Sequence, residues 1–127
     1  MFITSSVLRD ITEKTTVDQG AQSKLEDWLC RLQECAPEAG LDIVHDKAVV
    51  IGIHLLAYLK RLDQGERLPE IPDEMLTEIS PQYEHLSRKL LKLVPGAELQ
   101  EPDTAEIFYL AVHFEAVKAN MGGNKYE

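Results

Sequence analysis

Apolar residues recur along the chain at spacings of three and four, and the alternation expected of a strand is almost absent. After the capping-box-like run Thr16-Val17-Asp18-Gln19, the residues Ala21, Leu25, Trp28, Leu29, Leu32 and Cys35 mark one face of an amphipathic helix, stopped near Pro37 and Gly40. A second helix is expected over about residues 43–62, with Gly65 as its terminator. Its middle, AVVIGIHLLAYL from Ala48 to Leu59, is apolar on every side. Proline punctuates the next stretch of the chain. A short helical segment over 73–79 lies between Ile71-Pro72 and Ser80-Pro81, and the latter pair can open the next helix with Ser as N-cap and Pro at the first position. Tyr83, Leu86, Leu90 and Leu93 form its stripe, and Pro95-Gly96 ends it. The start signal Asp103-x-x-Glu106 introduces IFYLAVHF, again apolar on more than one side.

The pattern predicts an all-α fold, a five-helix bundle over residues 18–120, with an N-terminal extension at 1–17 and a loose tail at 121–127. Two helices this apolar are hard to cover in a small chain, so a homodimer interface along one of them is expected. The length of 127 residues suits one core. With 13 Lys+Arg against 22 Asp+Glu the net charge is −9, which argues against direct nucleic-acid binding, because phosphate neutralisation requires a basic face. Neither a signal peptide nor a membrane span is expected, and a cytoplasmic location follows. Cys30 and Cys35 are too few for a disulfide framework and wrongly spaced for zinc; they read as packing residues.

Enzyme motifs are missing: there is no G-x-G-x-x-G, P-loop, G-x-S-x-G or H-E-x-x-H. The residues three before the histidines are Asp42, Ile51, Gln82 and Leu110, so the E-x-x-H pairs of a di-iron bundle are absent too. Asp42-x-x-His45 reads as a polar helix start. No catalytic residue, metal or cofactor is expected. Two histidines stand apart, because His54 and His113 are each the only readily titrating group in an apolar stretch. Desolvation keeps such a ring neutral near pH 7, and a neutral imidazole is a nucleophile able to accept a phosphoryl group carrying about two negative charges. The plainer reading is a core histidine whose N–H bonds a carbonyl or carboxylate. Arg61, seven residues after His54, can clamp a phosphoryl group or simply end a helix in solvent. Glu106, seven before His113, can orient that imidazole or serve the capping box. His85 is expected in solvent, and Trp28, Tyr58, Phe108, Tyr109 and Phe114 in the core.

At these residues the sequence resembles the phosphotransferase-system regulation domain, or PRD. The likeness runs from about Asp18 to Lys118 and rests on IHLLAYLKRLDQG, SPQYEHLSRKLLKLV and DTAEIFYLAVHFEAV, the last matching the pattern E-x-x-x-L-x-x-H. It implies a PRD-like helical bundle that forms homodimers. It also implies two histidines phosphorylated reversibly by the histidine phosphocarrier protein or a sugar-permease component. The acceptors fall on His54 and His113, with Arg61 and Glu106 at companion positions. Members regulate transcription through attached output domains, usually from tandem copies; here the likeness covers one copy, and no output domain is expected. The expected function is a stand-alone regulatory domain of the bacterial sugar phosphotransferase system, acting on transcription or metabolism through a partner protein. A constitutive dimerisation or partner-binding module with unmodified histidines is the alternative.

Overall fold

A computed structural model describes residues 2–93 and 102–123. Among these, the chain forms five α-helices and two 3-10 turns and no strand: α1 (Thr4–Lys14), α2 (Gln19–Cys35), a turn at Ala36–Ala39, α3 (His45–Gln64), a turn at Asp73–Glu78, α4 (Pro81–Lys92) and α5 (Thr104–Gly123). The all-α bundle is the one expected, but its five α-helices are a different five. In place of the short helix expected over 73–79 there is a 3-10 turn, Asp73–Glu78, that buries none of its own side chains, and Ile79 just after it enters the core. Residues 4–14, expected to be part of an extension outside the bundle, form α1 instead.

That correction has a packing cause. Val7, Leu8 and Ile11 point inward from α1, and Phe2 ahead of it is buried as well, all within the main core. Gln33 of α2 donates from Nε2 to the Phe2 carbonyl, which fixes the start of the chain. α1 lies across both α2 and α3. At the crossing, Gly52 makes room for Ile11: a Cβ there would fall inside the envelope of Ile11 Cδ1, so the tip of that side chain would have to move aside. Asp10 of α1 also pairs with His45 Nε2 at the first residue of α3, so the lone D-x-x-H at Asp42 does not form the pair that holds His45.

The remaining boundaries follow local chemistry. Asp18 caps α2 by accepting from the Ala21 N–H at 2.8 Å, where a Thr16 cap would start the helix earlier. α3 stops at Gly65, whose φ of 70° suits only a residue without a Cβ. α4 begins with Pro81 at its first position, but the Ser80 hydroxyl makes no cap bond; the Ser80 carbonyl takes the Tyr83 and Glu84 N–H groups. The Pro95-Gly96 stop lies outside the described residues. α5 continues through Gly123, so the first three residues of the expected tail are helical, and 124–127 lie outside the described residues.

The core holds Trp28, Leu29, Leu32, Ile51, Leu55, Tyr83, Leu90, Leu91, Ile107 and Phe114. Trp28 donates from Nε1 to the Leu90 carbonyl at 2.9 Å, joining α2 to α4 while satisfying the one polar atom of the indole. Two expected core residues are elsewhere: Tyr109 and Cys30 are exposed, whereas Tyr58, Phe114 and Cys35 are buried as expected and Phe108 packs on the core edge. His85 faces solvent.

Candidate functional site

α3 and α5 lie antiparallel and bring all four sequence-selected residues into one cluster. The rings of His54 and His113 meet edge to face, with centroids 5.3 Å apart and planes at 73°. One end of that pair is closed by Arg61 and Glu106. The Arg61 guanidinium donates twice, from Nε to Glu106 Oε2 at 2.6 Å and from Nη2 to Oε1 at 2.7 Å. A planar fork on a carboxylate is the strongest ion-pair geometry available to side chains. Glu106 is almost fully buried, and it is tolerable there because both of its oxygens are taken. Its carboxylate is therefore neither part of a capping box nor bonded to His113. Arg61 is only partly exposed and is not a solvated helix end.

The antiparallel register explains the convergence. Arg61 lies two turns after His54 on α3, and Glu106 lies two turns before His113 on α5, so equal offsets in opposite directions meet across the helix pair. Asp103, one turn earlier and just ahead of α5, receives a second guanidinium fork from Arg67, just beyond the end of α3. Two arginine–carboxylate pairs thus fasten the C-terminal end of α3 to the start of α5.

His54 is the unusual member. Its Nε2 is buried and has no hydrogen-bond partner among the described residues; Ser87 Oγ is the other such side-chain atom. Most buried polar atoms are paired, so an orphan nitrogen beside a buried ion pair asks for an explanation. Glu106 Oε1 lies 3.8 Å away, outside hydrogen-bond reach and already bonded to Arg61. Burial, then the neighbouring His113 and then the Arg61 charge push His54 down from the usual 6.5 to about 4. The plain reading of a core histidine satisfied by a carbonyl or carboxylate does not describe this ring. His113 is half-buried, and it too is held below the usual histidine value, by burial first and by Lys47 second. Both imidazoles are therefore neutral near pH 7. Tyr58, one turn after His54, is pushed up to about 12 by burial and by the Glu106 and Asp103 carboxylates, with Arg61 acting the other way.

The arrangement sets two neutral imidazoles side by side, the Nε2 of His54 enclosed, with the Arg61 guanidinium at one end already engaged by Glu106. Among the described residues, no group of three His, Cys, Asp or Glu side chains comes together in a way that would hold a metal ion. Around the rings the surface is apolar: Val50 and Ile53 on α3 and Tyr109 and Val112 on α5 are all exposed. Sequence reasoning missed Lys47, whose signal was its place seven residues before His54, the mirror of Arg61.

Among the described residues, no helix is long and apolar enough to cross a membrane. No protein-family model matches the sequence, and no curated protein matches it. The fold does have a solved counterpart. It is similar to the crystal structure of a PRD-containing transcription regulator from Lactobacillus casei ATCC 334, with a TM-score of 0.69 and 23% identity, covering 91% of this chain and 94% of that one. The chain therefore has a PRD-like all-α fold.

Proposed function

We propose that the chain is a regulatory domain of the bacterial sugar phosphotransferase system whose state is set by reversible phosphorylation of His54 and His113. The observation that carries this reading is the contact of two neutral imidazoles at 5.3 Å beside the buried Arg61–Glu106 pair. The fold shared with a PRD-containing transcription regulator supports it. In the proposed reaction, a ring nitrogen attacks the phosphoryl group of a phosphohistidine donor, either the histidine phosphocarrier protein or a sugar-permease component. The new N–P bond forms as the donor's N–P bond breaks, and the donor imidazole leaves with the electron pair and takes up the proton that the acceptor ring releases.

The added group brings about two negative charges to a face lined by Val50, Ile53, Tyr109 and Val112. On this reading that face is a homodimer interface in the cytoplasm, and a charge arriving there unpaired forces it to loosen or to rearrange toward a cation. The output passes to transcription or metabolism through a partner protein, since the acidic chain is unsuited to nucleic acid. The protein is read as a switch and not as an enzyme.

The enclosed Nε2 of His54 favours a second reading, a constitutive dimerisation or partner-binding module with unmodified rings. Incubation with a phosphoenolpyruvate-driven phosphocarrier system separates the two. An acid-labile adduct that disappears in the His54→Ala, His113→Ala double variant supports the switch. No adduct, or one that survives in the double variant, leaves the constitutive module.

A further inference from the structure

We infer that Lys47 is the cation that steadies a phosphoryl group on His113, and that His113 consequently loads before His54; this rests on the reading of the two rings as acceptors. On α3, Lys47, His54 and Arg61 follow at intervals of seven, about 10 Å apart along the axis on one face. On the antiparallel α5, Glu106 stands against Arg61 and His113 against His54. The next step along that register places Lys47 at the other end of the ring pair, away from Arg61. Lys47 is half-buried, and its charge is felt at His113.

The two rings therefore have unlike surroundings. Arg61 turns its fork toward Glu106, which takes two of its N–H groups and offsets its charge. Lys47 makes no ion pair among the described residues. A dianion on His54 Nε2 would meet the Glu106 carboxylate, whose Oε1 is 3.8 Å away, before any free cation. A dianion on His113 would meet an ammonium that has no competing carboxylate partner. His54 becomes a good acceptor only after Arg61 exchanges Glu106 for the incoming group, so its loading waits on a side-chain rearrangement that His113 does not need.

The test uses the full chain and phosphoramidate as a small-molecule donor, which removes any contribution from docking of a partner protein. The ring lone pair forms the N–P bond while the donor's P–N bond breaks. The departing nitrogen leaves with that electron pair and, with the proton the ring gives up, becomes ammonium. Labelling is followed by intact mass and each site by fragmentation. The native chain should label His113 at least fivefold faster than His54. Lys47→Gln should slow His113 about fivefold, the worth of one partly exposed ion pair. Lys47→Arg should restore the rate, and raising the salt should shrink the difference between native and Lys47→Gln. Glu106→Gln should speed labelling of His54. Equal His113 rates in native and Lys47→Gln chains, or His54 labelling first, would overturn the inference while leaving the acceptor reading in place. No histidine label at all in the native chain would overturn both.

Discussion

Removing Arg61 should damage this protein far more than removing an ordinary surface charge. The guanidinium is 18% exposed and its partner Glu106 only 3%. Two unit charges about 4 Å apart attract by ~4 kcal/mol at the effective dielectric of a partly buried site. Much of that only offsets the desolvation of the pair, so its net worth is small while both partners are present. Breaking it from one side is different. Arg61→Met keeps the aliphatic stem and leaves the Glu106 carboxylate enclosed without a counter-charge, which costs about 3–5 kcal/mol. For a domain of this size that corresponds to a fall of roughly 10–20 °C in Tm. Glu106→Gln should cost less, about 1–2 kcal/mol, because the arginine left behind sits at the edge and can turn to water. The double variant Arg61→Met, Glu106→Leu should lie within about 1 kcal/mol of native, so the loss from Arg61→Met is largely recovered once its stranded partner is gone too. Urea unfolding followed by circular dichroism measures all four proteins. If Arg61→Met loses under about 1 kcal/mol, the pair behaves as a solvent-exposed one and the account of the site's rigidity is wrong. The same holds if the double variant is no more stable than Arg61→Met alone.

Three further outcomes rest on the same geometry. The unfolded chain protonates His54 near 6.5 while the folded one resists until about 4, so folding stability is fully retained above the first value and declines as pH falls toward the second, by ~3 kcal/mol at most. A His54→Gln variant should show a flatter decline between pH 7 and 4.5 in denaturant midpoints, and equal slopes would refute the assignment. Deleting residues 1–15 should leave a chain without cooperative unfolding, because Phe2, Val7, Leu8 and Ile11 each contribute ~1.5–3 kcal/mol of burial, together comparable to the stability of a whole domain. A sharp thermal transition in the truncated chain would contradict this. Gly52→Ala should destabilise by about 1–2 kcal/mol despite alanine's better helix propensity, and adding Ile11→Val, which deletes the clashing Cδ1, should recover most of the loss in the same assay.

Much of the bundle was legible because its stops are local. Gly40 and Gly65 take the left-handed conformation at the ends they were expected to mark, and Pro81 sits at the first position of α4. α1 escaped for a physical reason: its helix is 11 residues long, opens on Thr-Ser-Ser and presents only three buried side chains. A segment so short has little intrinsic helicity, and tertiary packing against Gly52 and its neighbours decides its structure. At the site, the residue types and the apolar setting of His54 and His113 were visible in the chain, whereas their contact was not. Seven-residue offsets were read on each helix separately. Only the antiparallel placement of α3 and α5 turns two offsets into the Arg61–Glu106 fork, and Lys47 becomes conspicuous by the same symmetry.

The bare backbone at Gly52 has a mechanical consequence. It lies two residues before His54, and the tip of Ile11 rests where any other residue would carry a side chain. The seat therefore ties the setting of the first helix to that of the histidine-bearing one: a side chain placed at position 52 would have to displace Ile11 before the two could come as close as they do.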